Sequence, residues 1–252
     1  MKKIILILAL LVSVSAIAQN TIRYVAARSG LSLREKQDAN STALAKIPFG
    51  TKITVEQVLE DRVTVESEGM KGAWVKATYN GKTGFVNDSY LFSWPVPKAT
   101  VKDLKGYILQ LTQPFGTKLI VKRGSRMNIE ETGYELRKQL YKNGAEIHEM
   151  IGYEYGSTTY FLPDFDLQQG FLLLRMIPEF KEVFGAQETF PTENKTYKKG
   201  DIEYMVTVDK QDFGDGNFWM NKITIEYSDG ASFEFVMYYD NAQLVVSLSS
   251  GL

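Results

Sequence analysis

Trp74-Val75-Lys76-Ala77-Thr78-Tyr79-Asn80-Gly81-Lys82-Thr83-Gly84-Phe85-Val86 decides how the first part of this chain folds. Asn-Gly between two strand-like runs signals a two-residue hairpin, because both turn positions need positive φ. One strand therefore ends at Tyr79 and the chain returns through Gly84-Phe85-Val86. Working outward, Ile22-Arg23-Tyr24-Val25 opens the unit and Leu31-Ser32-Leu33-Arg34 alternates apolar and polar. Lys52-Ile53-Thr54-Val55 follows a Pro48-Phe49-Gly50-Thr51 turn, and Tyr90-Leu91-Phe92 closes the unit. Short strands packed this closely, within about 70 residues, predict a small β-barrel.

The order of these pieces resembles a known family. Leu31-Ser32-Leu33-Arg34 comes first, then Ile47-Pro48-Phe49-Gly50-Thr51-Lys52-Ile53-Thr54-Val55, then Trp74-Val75-Lys76. Tyr79-Asn80-Gly81-Lys82-Thr83-Gly84-Phe85-Val86 and Tyr90-Leu91 complete a pattern similar to the bacterial SH3-type (SH3b) domain. The resemblance covers residues 22–92, under a third of the chain, and its final hairpin is the specific part. It implies an SH3-like β-barrel with a targeting or interaction role, since domains of this family commonly accompany cell-wall hydrolases and bind peptidoglycan peptides or proteins. Two departures fall where a ligand groove would lie. Glu35-Lys36-Gln37-Asp38 replaces the small motif usual after the arginine, and Phe85 replaces a common Trp. The acidic and aromatic signature of a groove for proline-rich peptides is not evident.

Residues 1–18, MKKIILILALLVSVSAIA, have the form of a secretory signal peptide. Lys2 and Lys3 form the charged start, Ile4 to Val14 the apolar run, and Ala16-Ile17-Ala18 the cleavage site. No Cys follows, which excludes a lipoprotein anchor, and no later apolar run approaches the length of a membrane span. The mature chain is expected to be exported, periplasmic or extracellular, without stable membrane insertion.

Ser93-Trp94-Pro95-Val96-Pro97-Lys98 marks the clearest boundary, because two prolines disfavour helix and interior strand. Residues 20–92 carry 10 basic and 8 acidic groups, whereas residues 93–252 carry 17 and 22. The two parts are thus modestly distinct in charge. In residues 99–252 the run Tyr134 to Tyr141, a turn at Asn143-Gly144, and Ala145 to Tyr153 predict a hairpin; Leu119-Ile120-Val121 and Thr158 to Leu162 are further strands. Leu167, Phe171, Leu174 and Ile177 then recur at helical spacing, with Asp164 or Asp166 as cap, Pro178 opening a second helical piece and Gly185 ending it. Four strands follow, at 202–208, 218–227, 231–239 and 243–249. The expected fold is mainly β: a small SH3-like barrel, then a larger antiparallel α+β domain of no recognised family. Pro48-Phe49-Gly50-Thr51-Lys52-Ile53 recurs weakly as Pro114-Phe115-Gly116-Thr117-Lys118-Leu119, for which shared turn chemistry is a simpler account than a second barrel.

Composition narrows the chemistry. The chain of 252 residues has no Cys and one His. Thiolate nucleophiles, disulfides, Cys-ligated metals and sites built from two His are excluded, and so is the Cys-His wall peptidase that usually accompanies an SH3b domain. A net charge of −1 argues against nucleic acid as a main partner. No phosphate-binding loop or dinucleotide fingerprint is present, and no cofactor is expected. His148 shares a strand face with Glu146, a pair with the makings of a general base, yet nothing near it resembles a nucleophile elbow. Asp209, Asp212 and Asp215 offer oxygen ligands, but their spacing is not that of a calcium loop and suits a hairpin tip.

Aromatic residues carry the ligand-binding expectation. A barrel this small cannot bury all of its rings, so Trp74, Tyr79 and Tyr90 are candidates to stack on a peptide or sugar, while Phe85 is expected in the core. Arg34 is the candidate partner for a ligand carboxylate. The expected function is a secreted, non-catalytic envelope protein that binds cell-wall peptide or an envelope protein. Two alternatives stay open: an envelope hydrolase with catalytic carboxylates in the C-terminal domain, and a periplasmic inhibitor or immunity protein.

Overall fold

A computed structural model describes residues 20–56, 62–123, 133–184, 189–214 and 218–252. The leader, Gly185 and Asp215 lie outside the described residues.

The first unit holds β1 (Asn20–Val25), β2 (Leu31–Arg34), β3 (Ala43–Ile47), β4 (Lys52–Glu56), β5 (Thr64–Ser67), β6 (Met70–Tyr79), β7 (Lys82–Asn87) and β8 (Leu91–Phe92). Their order is β3-β2-β7-β6-β4-β1-β8, with β5 paired to β6. Strands β3 and β5 add to the runs expected, and Tyr90 belongs to a 3-10 turn, Asp88–Tyr90. Asn80 (φ 49°) and Gly81 (φ 72°) make the hairpin turn as expected. Gly84 is required by close approach, since a Cβ there would lie 2.4 Å from the Arg34 carbonyl oxygen. Val25, Leu33, Ile47, Val55, Ala77, Val86 and Leu91 pack into one cluster although they come from seven strands, so the sheet folds around its own core.

The second unit is a nine-stranded antiparallel sheet. Its strands are β9 (Pro114–Arg123), β10 (Tyr134–Tyr141), β11 (Glu146–Gly152), β12 (Tyr155–Pro163), β13 (Lys195–Lys199), β14 (Ile202–Asp212), β15 (Phe218–Ser228), β16 (Ser232–Asp240) and β17 (Gln243–Gly251). They run β13-β14-β15-β16-β17-β12-β11-β10-β9. The weak repeat is no second barrel: Pro114–Thr117 lies within β9, which pairs with β10 through a register shift.

Helices α1 (Leu104–Leu111), α2 (Leu167–Leu174) and α3 (Lys181–Phe184) pack against this sheet. Asp166, not Asp164, caps α2, and Gln169 completes a capping box. Pro178 opens a 3-10 turn, Pro178–Phe180, that leads into α3. Phe171, Phe180 and Phe184 are buried against Phe190 and Phe235 through edge-to-face contacts.

The larger core also takes in Ala26, Met70 and Phe92 from the first unit. The segment between the units is fastened rather than loose. Tyr107 donates its hydroxyl to the Pro95 carbonyl at 2.8 Å, and Gln110 bonds both the Val96 carbonyl and the Lys98 amide. Burial without a charge partner pushes the Tyr107 phenol far up, so it stays neutral and donates.

Candidate functional site

Strand alternation sets the first face. Leu31 and Leu33 enter the barrel core, so Ser32 and Arg34 point away from it. On β6 and the turn after β7, Trp74 and Tyr90 reach the same side. Helix α2 brings Leu172, and just beyond its end come Arg175 and Met176. Together with the loop Ala26–Gly30 and with Glu66, Ser67 and Glu68 from the β5–β6 hairpin, these residues enclose a cleft of about 550 Å³ between the two units.

Three sequence candidates, Arg34, Trp74 and Tyr90, therefore meet in one cleft. Tyr79 does not join them; it packs on the barrel core at the hairpin end of β6. Trp74 is only 8% exposed and offers the cleft a buried wall. Phe85 departs from expectation: Gly84 and Val86 point inward, which leaves Phe85 half-buried on the outer face, beside Arg34 and Lys76.

Both signs of charge line the cleft. Arg28 donates to the Arg175 carbonyl at 2.7 Å and ties the barrel loop to the end of α2. The Arg175 guanidinium lies 3.4 Å from the Glu68 carboxylate and 5.0 Å from the centre of the Phe171 ring. Arg34 donates to the Ser41 carbonyl at 2.7 Å, one of its five N–H groups. The Tyr90 hydroxyl is 2.9 Å from that of Ser67; burial pushes its phenol up and Glu68 adds to the rise, so the ring is neutral near pH 7. Guanidinium groups for a carboxylate, glutamates for an ammonium and aromatic walls between them suit a short zwitterionic peptide. Arg28, Glu66, Glu68 and Arg175 escaped the sequence reading because nothing local shows that the end of α2 faces the barrel.

The other candidates fall elsewhere. His148 lies 2.8 Å from Glu146 and 4.6 Å, ring to ring, from Phe161. Lys138 binds the same carboxylate at 2.6 Å; burial pushes Glu146 up, but the Lys138 and His148 hydrogen bonds outweigh it and hold the group below its ordinary value. Asp209 sits within β14, 3.1 Å from Lys222, and Asp212 accepts from the Gly214 amide at 2.7 Å. Among the described residues no three His, Cys, Asp or Glu side chains converge as a metal site. No helix among them is long and apolar enough to cross a membrane.

Residues 29–92 match the bacterial SH3 domain family, so this segment carries an SH3b domain. The chain is similar to a probable endopeptidase p60 of Listeria monocytogenes, 39% identical over 93 residues. It is also similar to a probable endopeptidase p60 of Listeria innocua, 43% identical over 77 residues. These segments are 36% and 29% of this chain but only 17% and 14% of the relatives, so the chain spans less than a fifth of the curated relatives it matches. No solved structure matches.

Proposed function

We propose that this is an exported, envelope-associated binding protein that takes a cell-wall peptide in the cleft between its SH3b domain and α2. The observation that carries the proposal is the convergence of Arg34, Trp74 and Tyr90 with Arg175, a residue from outside the SH3b segment. In this reading residues 1–18 are a cleaved leader, 20–92 the barrel, 93–98 the linker and 99–252 a second domain that completes the site. The SH3b family and the relatives' segments support a place in the envelope or outside the cell. The proposal assigns this chain no endopeptidase activity, since the similar segment is a small part of the relatives and the chain holds no Cys.

Co-sedimentation of the mature chain with purified peptidoglycan sacculi tests this. Retention is expected, with displacement by a soluble stem tetrapeptide. Trp74→Phe is expected to weaken retention about tenfold. Tyr79→Leu, outside the cleft, is expected to leave it unchanged. A mature chain that stays in the supernatant contradicts the proposal.

A further inference from the structure

A row of rings crosses the helix-covered face of the second sheet. Tyr197 stacks on Tyr204 at 5.0 Å, Tyr204 on Tyr227 at 4.7 Å and Tyr227 on Phe233 at 4.9 Å. The register explains the row, since Tyr197, Tyr204, Tyr227 and Phe233 stand directly opposite one another on β13 to β16. Residues facing each other across antiparallel strands share a face and touch.

The row then stops. The next two positions in register are Ser250 on β17 and Gly156 on β12, followed by Ile151 on β11. Two strand positions, about 10 Å, thus carry no ring. The gap is the floor of a cleft of about 420 Å³. Phe233 walls one side and Ile151 the other; Thr158, Glu149 and Arg137 lie one row further in, with Val183 of α3 above. Glu149 is 3.0 Å from Lys118, and Arg137 bonds Glu135; each retains further hydrogen-bonding positions.

We propose that this slot binds one pyranose ring of a glycan, stacked on Phe233 in the place of the next ring in the row. A pyranose has an apolar C–H face and a rim of hydroxyls. The slot answers the face with Phe233 and Ile151, and the rim with Ser250, Thr158, Glu149 and Arg137. A ladder spacing near 5 Å fits a saturated ring over Ser250, and the Gly156 position leaves room for its substituent. The slot shares no residue with the peptide cleft and stands independently of it.

Gly156 permits a clean test. A Cβ there would meet only the Met150 carbonyl oxygen, at 3.5 Å, which is ordinary contact. Gly156→Val therefore sets its Cβ in ordinary contact, puts two methyls in the slot and favours the strand. The probe is the N-acetylglucosamine tetramer, titrated into the full mature chain and followed by amide NMR shifts. Saturable shifts at the amides of Phe233, Ser250 and Gly156 are expected, lost in a folded Gly156→Val and weakened about tenfold in Phe233→Ala. Trp74→Phe is expected to leave the titration unchanged. No shift at these amides, shifts confined to the peptide cleft, or equal affinity in Gly156→Val would overturn the proposal.

Discussion

Asp88 ties the stability of the fold to pH. Its carboxylate accepts from the Ala73 amide at 2.7 Å beneath the junction. Burial pushes its pKa above the ordinary range, opposed by that hydrogen bond and by Arg62 and Arg23. A carboxyl whose pKa rises on folding adds stability below its unfolded value and loses it as pH climbs through the raised native value. Asp88→Asn keeps an oxygen for Ala73 but removes the titration. Chemical denaturation is expected to show the variant gaining on wild type as pH rises from about 4 to 7. An equal difference at both ends would refute the assignment. At this scale the sequence was partly legible: strand alternation put Arg34 outside the core, whereas the same rule, followed from Val86, contradicts the core placement of Phe85. Trp74 was ambiguous because a buried ring that lines a cleft is both packing and surface.

Among the elements, α2 does most to join the halves. Gln168 bonds both the amide and the carbonyl of Lys71, so its side chain acts as one more strand residue beside β6. Gln169 donates to the Leu91 carbonyl at 3.0 Å. The helix sits so close to the sheet that a Cβ at Gly170 would fall 2.5 Å from Leu244 and 3.0 Å from Met237. Both neighbours are fully buried and have nowhere to go. Alanine normally favours a helix interior by about 1 kcal/mol over glycine. Here Gly170→Ala is expected to destabilise by about 1–3 kcal/mol, read from thermal unfolding; a stabilised variant would show that α2 stands off the sheet. Asp166→Ala is expected to cost about 1 kcal/mol through the lost cap.

Element identity was legible where a period was strong. The helical spacing of Leu167, Phe171 and Leu174 gave α2, and the turn at Asn143-Gly144 gave the β10–β11 hairpin. Strand β13 was missed because Lys195, Lys198 and Lys199 suppress any apolar pattern, as befits an edge strand that must not pair with another chain. Helix α1 is only eight residues long and follows two prolines, which hid the Leu104, Tyr107 and Ile108 face.

In the whole molecule the prolines of 93–98 suggest a boundary, but the contact across that segment leaves no mark in the sequence. Ala26, Met70 and Phe92 contribute to the larger core, so each unit alone would expose apolar surface that the intact chain buries. Calorimetry of the mature chain is expected to show one cooperative transition, with residues 20–92 alone melting at lower temperature; two well-separated transitions would contradict a shared core. The same junction builds the cleft proposed to take the peptide, and Leu172, Arg175 and Met176 are the second unit's side of it, with Arg175 its charged group. The decisive measurement is calorimetric titration of a stem tetrapeptide, with a free terminal carboxylate, into the full mature chain and into Arg175→Ala. Saturable one-to-one binding, weakened about tenfold in a folded variant, is predicted. Equal affinity for both proteins would mean that the SH3b domain binds without its neighbour and that the cleft is not the site.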